Sequence, residues 1–434
     1  MHFVIKNGRV IDPANQRDEI TDIYIIDEHI AAIGEAPTGF NAEKIIDAKN
    51  LIVVPGLIDI SVKLKKPGDK NKGSIATESK AAAAGGITTM CAQPDTDPVI
   101  DTPAIAEMIS RTANDVNQTR ILTVAALTSA LAGEHLAEMA LLRDRGGCIG
   151  VSNGDNPVKN ILVMRRAMEY AASCRMPIYL HANEPSLSKH GCAHEGVIST
   201  RLGLKGIPDA AETIAVAREL MLIEQTGVNA HFLHISSYQA ANLIINARQA
   251  GLPVSMSVTP HHLHLTEMDI GYFNTQCHVR PPLRTQRDRD ALRQAVSSGN
   301  INCISTDHRP LPADAKLAPF GDSEPGISGL DTLLALTLRL VDEKVLSLND
   351  AIARLTQGPA EILGLRDCGQ LTVGFRADIC IFDAEQSWLV KQQSFVSSGK
   401  NTPFNDWEVK GKVTHTILAG QHVYNAAHEL NPVG

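Results

Sequence analysis

Residues 230–262, AHFLHISSYQAANLIINARQAGLPVSMSVTPHH, decide the fold. An apolar, strand-like run, Ala230–Ile235, is followed by a helix-like stretch over 237–250 and then by a second strand-like run, Pro253–Thr259. Strand, helix and strand in that order make one βαβ unit, which joins parallel strands. The same rhythm extends in both directions. Gly86–Cys91, Ile121–Ala126, Pro177–His181 and Asn302–Thr306 are strand-like, and 159–173 and 210–226 are helix-like. So many repeats of one unit fit a closed parallel barrel better than an open sheet, and the fold class expected is α/β, a TIM (β/α)8 barrel over 54–364. The ends read differently. Phe3–Ile5, Ile23–Ile26 and Ile30–Ile33 are short apolar runs set off by turn signals at Asn7-Gly8, Asp12-Pro13 and Asp27-Glu28. Strand-like texture returns at 371–383 and 409–424, so 1–53 and 365–434 are expected to build one small β-sandwich module from both chain termini. The stretch 311–328, rich in Pro, Gly and small residues, is the candidate for a long loop over the barrel mouth.

Bulk composition excludes several classes of function. The chain has 434 residues, 44% hydrophobic and 20% charged, so it can bury a large core and is not disordered. A net charge of -8 without runs of like charge gives no electrostatic footprint for nucleic acid or an anionic membrane. No apolar stretch reaches the length of a bilayer span. The eight cysteines lack CxxC spacing and the opening MHFVIKNGRV is not a signal peptide, which together point to reduced, buried thiols in a cytoplasmic protein.

Functional groups of such barrels sit at the C-terminal ends of the strands. His181 ends IYLH, His234 ends HFLH, His261-His262 follows SVTP, and Asp307-His308 follows IST. One histidine at a strand end is more often a hydrogen-bonded core residue than a ligand. Several spaced this way favour an ancestral metal site.

The order of IKNGRVIDP, VVPGLIDI, AAAAGGITT, LGLKGIPDAAET, HFLHIS, SVTPHHLHL, VRPPLRT, STDHRP, GISGLDTLL, GQLTVGFRADICIFD and NTPF along nearly the whole chain resembles the dihydroorotase and hydantoinase branch of the amidohydrolase superfamily, with the longer bacterial dihydroorotases the nearest in kind. The resemblance implies a D-x-H-x-H segment whose two histidines bind a divalent metal; here that segment reads Asp59-Ile60-Ser61-Val62-Lys63. A serine hydroxyl is a poor zinc ligand and a protonated lysine has no lone pair to donate. The resemblance also implies an acidic segment bridging two metals, and in VSNGDNPV its places fall to Asn153 and Gly154; Asp155, one step on, would reach the site only through a shift of the loop. His181 and His234 resemble the second metal's histidines, and Asp307 the metal-bound general base. The substrate-binding positions are altered as well: Lys65 stands where the resemblance calls for arginine, and Asp95 in QPDT and Arg280 in RPPLR where it calls for asparagine. Lysine loses bidentate carboxylate recognition, and an aspartate repels a carboxylate unless it is paired.

These departures carry four expectations. Asp307 is a vestigial general base without a metal-bound water to act on, no cofactor is expected, and zinc is expected only if an active cyclic-amide hydrolase survives on a reduced site at His181 and His234. The resemblance extends to non-catalytic dihydroorotase homologues that accompany aspartate transcarbamoylase, so that enzyme is the expected partner, with a homo-oligomer also expected. His261-His262 and the two tryptophans, Trp388 and Trp407, are expected to be structural. Finally, Lys63 is expected to stand in for the missing cation by pairing with Asp307 within about 4 Å.

Overall fold

The computed structural model describes residues 2–64 and 73–429. In chain order the strands are β1 (His2–Asp12), β2 (Arg17–Ile26), β3 (His29–Ile33), β4 (Lys44–Asp47) and β5 (Ile52–Pro55). Then follow β6 (Leu57–Val62), β7 (Ile87–Ala92), β8 (Arg120–Ala126), β9 (Gly150–Ser152) and β10 (Ile178–Leu180). A two-residue pair, β11 (Ala193–His194) and β12 (Gly206–Ile207), precedes β13 (Ala230–Phe232), β14 (Val254–Val258) and β15 (Cys303–Ile304). The chain ends through β16 (Ile379–Leu389), β17 (Glu408–Leu418) and β18 (Gln421–Asn425).

The two termini do build one module. Its sheet runs β18-β17-β16-β5-β1-β2-β3, with β4 also on β1, around a core that includes Phe3, Ile5, Ile25, Val53, Ile379 and Ile417. Two local expectations change. Asn7-Gly8 is not a turn: β1 runs through it, with a register shift between Ile5 and Gly8. Asn7 takes a left-handed φ of 62°, and a Cβ on Gly8 would lie 2.5 Å from Val53 Cγ2, so the glycine serves close strand approach in a bulge. Within 371–383, only Ile379 onward is strand.

The barrel order is β6-β7-β8-β9-β10-β13-β14-β15, every neighbouring pair parallel. It closes where Val62 bridges His308 in parallel and the Lys63 N–H donates to the His308 carbonyl at 2.9 Å. Gly56 lets the chain pass from β5 to β6, since a Cβ there would meet Thr88 Oγ1 at 2.1 Å. The lumen is filled by Ile58, Ile60, Cys91, Val124, Tyr179, Leu233 and Cys303. β9 is three residues long and carries little strand signal. A Cβ on Gly150 would lie 2.5 Å from Tyr179 Cε2, so the glycine admits that ring to the lumen.

Helices Ile161–Ser173, Ala210–Thr226 and Tyr238–Gln249 lie where the sequence places them. Local chemistry sets their ends: the Ser237 side chain caps the third by accepting from the Ala240 N–H, and Gly227 ends the second in a left-handed conformation. Helix α1 (Ile75–Ala84) starts in a reciprocal Ser74–Thr77 capping box. All eight cysteines are buried and free. Among the described residues, no helix is long and apolar enough to cross a membrane.

Candidate active site

β6 delivers Ser61 and Lys63 to the mouth, and the turns after β9, β10, β13 and β15 deliver Asn153 and Asp155, His181, His234 and Asp307. The first strand is anchored by Asp59, which accepts from the Ser61 N–H (3.3 Å), from the Thr306 N–H (3.2 Å) and from the Thr306 hydroxyl, so β6 and the end of β15 are held together beneath the site. Burial raises the Asp59 carboxyl to about 6 against these hydrogen bonds.

The Lys63 side chain is 3% exposed and does not pair with Asp307 as expected. Its Nζ lies 2.6 Å from Asp155 Oδ2 and 3.4 Å from Asp95 Oδ2. The reason is local. Asp307 already has a cation two residues away in Arg309, whose Nε donates to Asp307 Oδ2 at 3.3 Å, and the loop after β9 brings Asp155 into the site. Arg309 also grips Asp155 with two donors, Nη1 to Oδ2 at 2.6 Å and Nη2 to Oδ1 at 3.1 Å. Lys63, Arg309 and the carboxylates of Asp95, Asp155 and Asp307 thus form one partly buried ion network. Burial pushes the Asp155 carboxyl up, but the charges of Arg309 and Lys63 outweigh it and hold the group well below the ordinary range. For Asp307 burial prevails over the same two cations, and its pKa is raised.

The retained histidines stand beside this network. The ring centres of His181 and His234 are 6.5 Å apart, and His234 Nδ1 is 3.6 Å from Asp307 Oδ1, too long for a hydrogen bond. Burial, reinforced for His234 by His181, Arg309 and Lys63, lowers the pKa of both rings, which leaves them neutral. His262 is a structural residue, as expected: Nδ1 meets the Thr259 hydroxyl at 2.7 Å and Nε2 the Pro281 carbonyl at 3.2 Å. Asn153 is likewise occupied, taking a 2.6 Å hydrogen bond from the Thr128 hydroxyl and donating to the Asn156 carbonyl at 2.8 Å. Arg280 is exposed and lines a small cavity beside His181, with Glu212 and the buried Arg284. Trp388 and Trp407 pack against a core cluster around Phe404 and Val409. Lys65 lies outside the described residues.

Metal chemistry can be tested against these side chains. The Ser61 hydroxyl is buried without a partner, Lys63 and Arg309 offer no lone pair, and Asp155 and Asp307 are already engaged by those cations. Among the described residues, no three His, Cys, Asp or Glu side chains are placed to share an ion. The donor set does not fit a metal.

Residues 50–240 match the family described as "Dihydro-orotase-like" and residues 245–424 the "Amidohydrolase family". A "Dihydroorotase-like protein" of Pseudomonas putida is 44% identical over 97% of this chain and 98% of its own length. The chain belongs to the dihydroorotase-like amidohydrolase family. A "Dihydroorotase" of Syntrophotalea carbinolica shares 42% identity over 98% of this chain and 99% of its own. The fold of this family member is matched by the L-hydantoinase of Arthrobacter aurescens at a TM-score of 0.87, 24% identity and coverage of 98% and 96% of the two chains.

Sequence reasoning missed two residues in this dihydroorotase-like site. In the sequence Arg309 stands only as part of the STDHRP landmark. The available signal is a fixed cation two residues beyond a strand-end aspartate. Glu78 carries no motif signal in the sequence. It lies on α1, fully buried, and accepts from His308 Nε2 (2.9 Å), from the hydroxyls of Thr77, Ser397 and Ser398, and from the Ser398 N–H. It ties α1 and the end of β15 to the 391–407 segment.

Proposed function

We propose that this dihydroorotase-like protein is non-catalytic and is retained as a structural companion of aspartate transcarbamoylase. The observation that carries the reading is the Lys63–Asp155–Arg309–Asp307 ion network at the barrel mouth. In an active member a metal ion lowers the pKa of a bound water from 15.7 to about 7, worth roughly 12 kcal/mol at 1.36 kcal/mol per unit, and a lone carboxylate does not replace that. Asp307, engaged by Arg309, has no such water to deprotonate. The altered positions Asp95 and Arg280 support the same reading, because Asp95 faces Lys63 rather than serving as a neutral hydrogen-bonding amide. The choice of partner rests on the family resemblance alone.

One preparation of the purified chain tests both halves. Zinc content and dihydroorotate turnover are expected at background, with and without added zinc, while mixing with aspartate transcarbamoylase is expected to give a joint peak in gel filtration. Stoichiometric zinc with turnover that disappears on Asp307→Ala would establish the opposite reading, an active cyclic-amide hydrolase. Separate elution of the two proteins would remove the companion role.

A further inference from the structure

Arg309 is held in place by more than its ion pairs. Its N–H donates to the Ile327 carbonyl at 2.8 Å, and its own carbonyl accepts from Asn401 Nδ2 at 2.9 Å. The same Asn401 amide donates to the Gly326 carbonyl at 3.0 Å, so one side chain ties the backbone on both flanks of the arginine stem. Gly326 has a φ of +143°, and a Cβ there would sit 2.7 Å from Arg309 Cβ and 2.8 Å from its Cδ. The 311–328 loop is thus shaped, through a glycine, to receive the arginine stem. The guanidinium then meets Asp155 with two donors and Asp307 with a third.

We propose that Arg309 is a resident cation of this site that excludes a metal ion by itself, independently of the loss of histidines at positions 61 and 63. The inference deepens the reading of the chain as non-catalytic and rests on it. Arginine stays protonated at any pH the fold survives, so it is a permanent occupant rather than a competing ligand. It holds Asp155 and Asp307, the latter 3.6 Å from His234, in ion pairs. Restoring two imidazoles on β6 would therefore supply donors without vacating the place where a metal must sit.

The test compares Ser61→His/Lys63→His with Ser61→His/Lys63→His/Arg309→Ala, reading zinc per chain by elemental mass spectrometry after dialysis against a weak chelator. The triple variant is expected to retain about one zinc or more per chain and the double variant at least tenfold less. Stoichiometric zinc in the double variant overturns the proposal, and so does a folded triple variant that holds no more zinc than the double. Should either variant fail to fold, Arg309→Ala alone decides. Methylguanidinium at millimolar concentration is expected to raise its melting temperature by several degrees over equal sodium chloride, and to leave the parent unchanged. No selective rise overturns the proposal. Zinc and dihydroorotate turnover are measured on the parent in parallel. Zinc in the double variant beside a zinc-free, inactive parent sinks only the role of Arg309, whereas turnover in a zinc-free parent sinks only the non-catalytic reading.

Discussion

Replacing Lys63 with methionine removes one charge from the ion network while keeping most of the side-chain stem that packs at the end of β6. Removing one member of a buried ion pair costs about 3–5 kcal/mol, because the remaining charge is left without compensation. Here the cost is smaller. Asp155 keeps its two-donor contact with Arg309, and its side chain is 32% exposed, so water screens part of the loss. Asp95, 15% exposed and 3.4 Å from the ammonium, loses a weaker contact. The expected destabilisation at neutral pH is therefore about 2–3 kcal/mol, read by denaturant unfolding of the parent and the variant. The pH dependence has a definite sign. Asp155 is held below its unfolded value, so the pair's contribution is complete above the ordinary carboxylate range and is lost as pH falls through the folded value. The gap between parent and variant should be constant from neutral pH down to about pH 4 and narrow below it. A Lys63→Met protein as stable as its parent at pH 7, or a gap that widens in acid, would refute the ion-pair account of the site.

Two further outcomes follow from other contacts. Glu78, fully buried, is held at about 2 against an ordinary 4.5: burial opposes this, and His308, Ser397 and Ser398 outweigh it. Its stabilisation, on the order of 3 kcal/mol at 1.36 kcal/mol per unit, is present above pH 4.5 and lost as pH falls towards 2; Glu78→Gln should lower stability at pH 7 by about that amount and flatten the acid limb of a stability–pH curve, and an unchanged limb would rule out this role. Gly326→Ala should cost about 2–3 kcal/mol by crowding the arginine stem at a strained φ, and should cost less in an Arg309→Ala background; equal costs in the two backgrounds would show that the glycine does not serve the arginine.

How far the sequence could be read depended on the range of the physics involved. The barrel was legible because each strand–helix unit declares itself locally through periodicity and turn residues, and Ala230–Thr259 alone carries two strands and the helix between them. β9 was not, because Gly150-Val151-Ser152 offers a single large apolar side chain and so no pattern of its own. The 371–378 stretch misled for the opposite reason, having strand-like texture without a ladder to join. The changed chemistry at Ser61 and Lys63 was legible because it concerns lone pairs, a property of residue type alone. The partner of Lys63 was not. Strand adjacency in a closed barrel puts the end of β6 beside the end of β15, and the two do bridge at Val62 and His308, so Asp307 is the natural choice on topology. Topology, however, says nothing of which cation reaches a carboxylate first. Arg309, on the same turn as Asp307, needs no cross-strand register to meet it, while Asp155 depends on a loop path that residue spacing does not encode. Once Asp307 is taken by its own neighbour, the ammonium on β6 turns to Asp155 and Asp95. The shortest contacts of the network nonetheless run across the barrel, 2.6 Å to Asp155 from both Lys63 and Arg309, against 3.3 Å from Arg309 to Asp307.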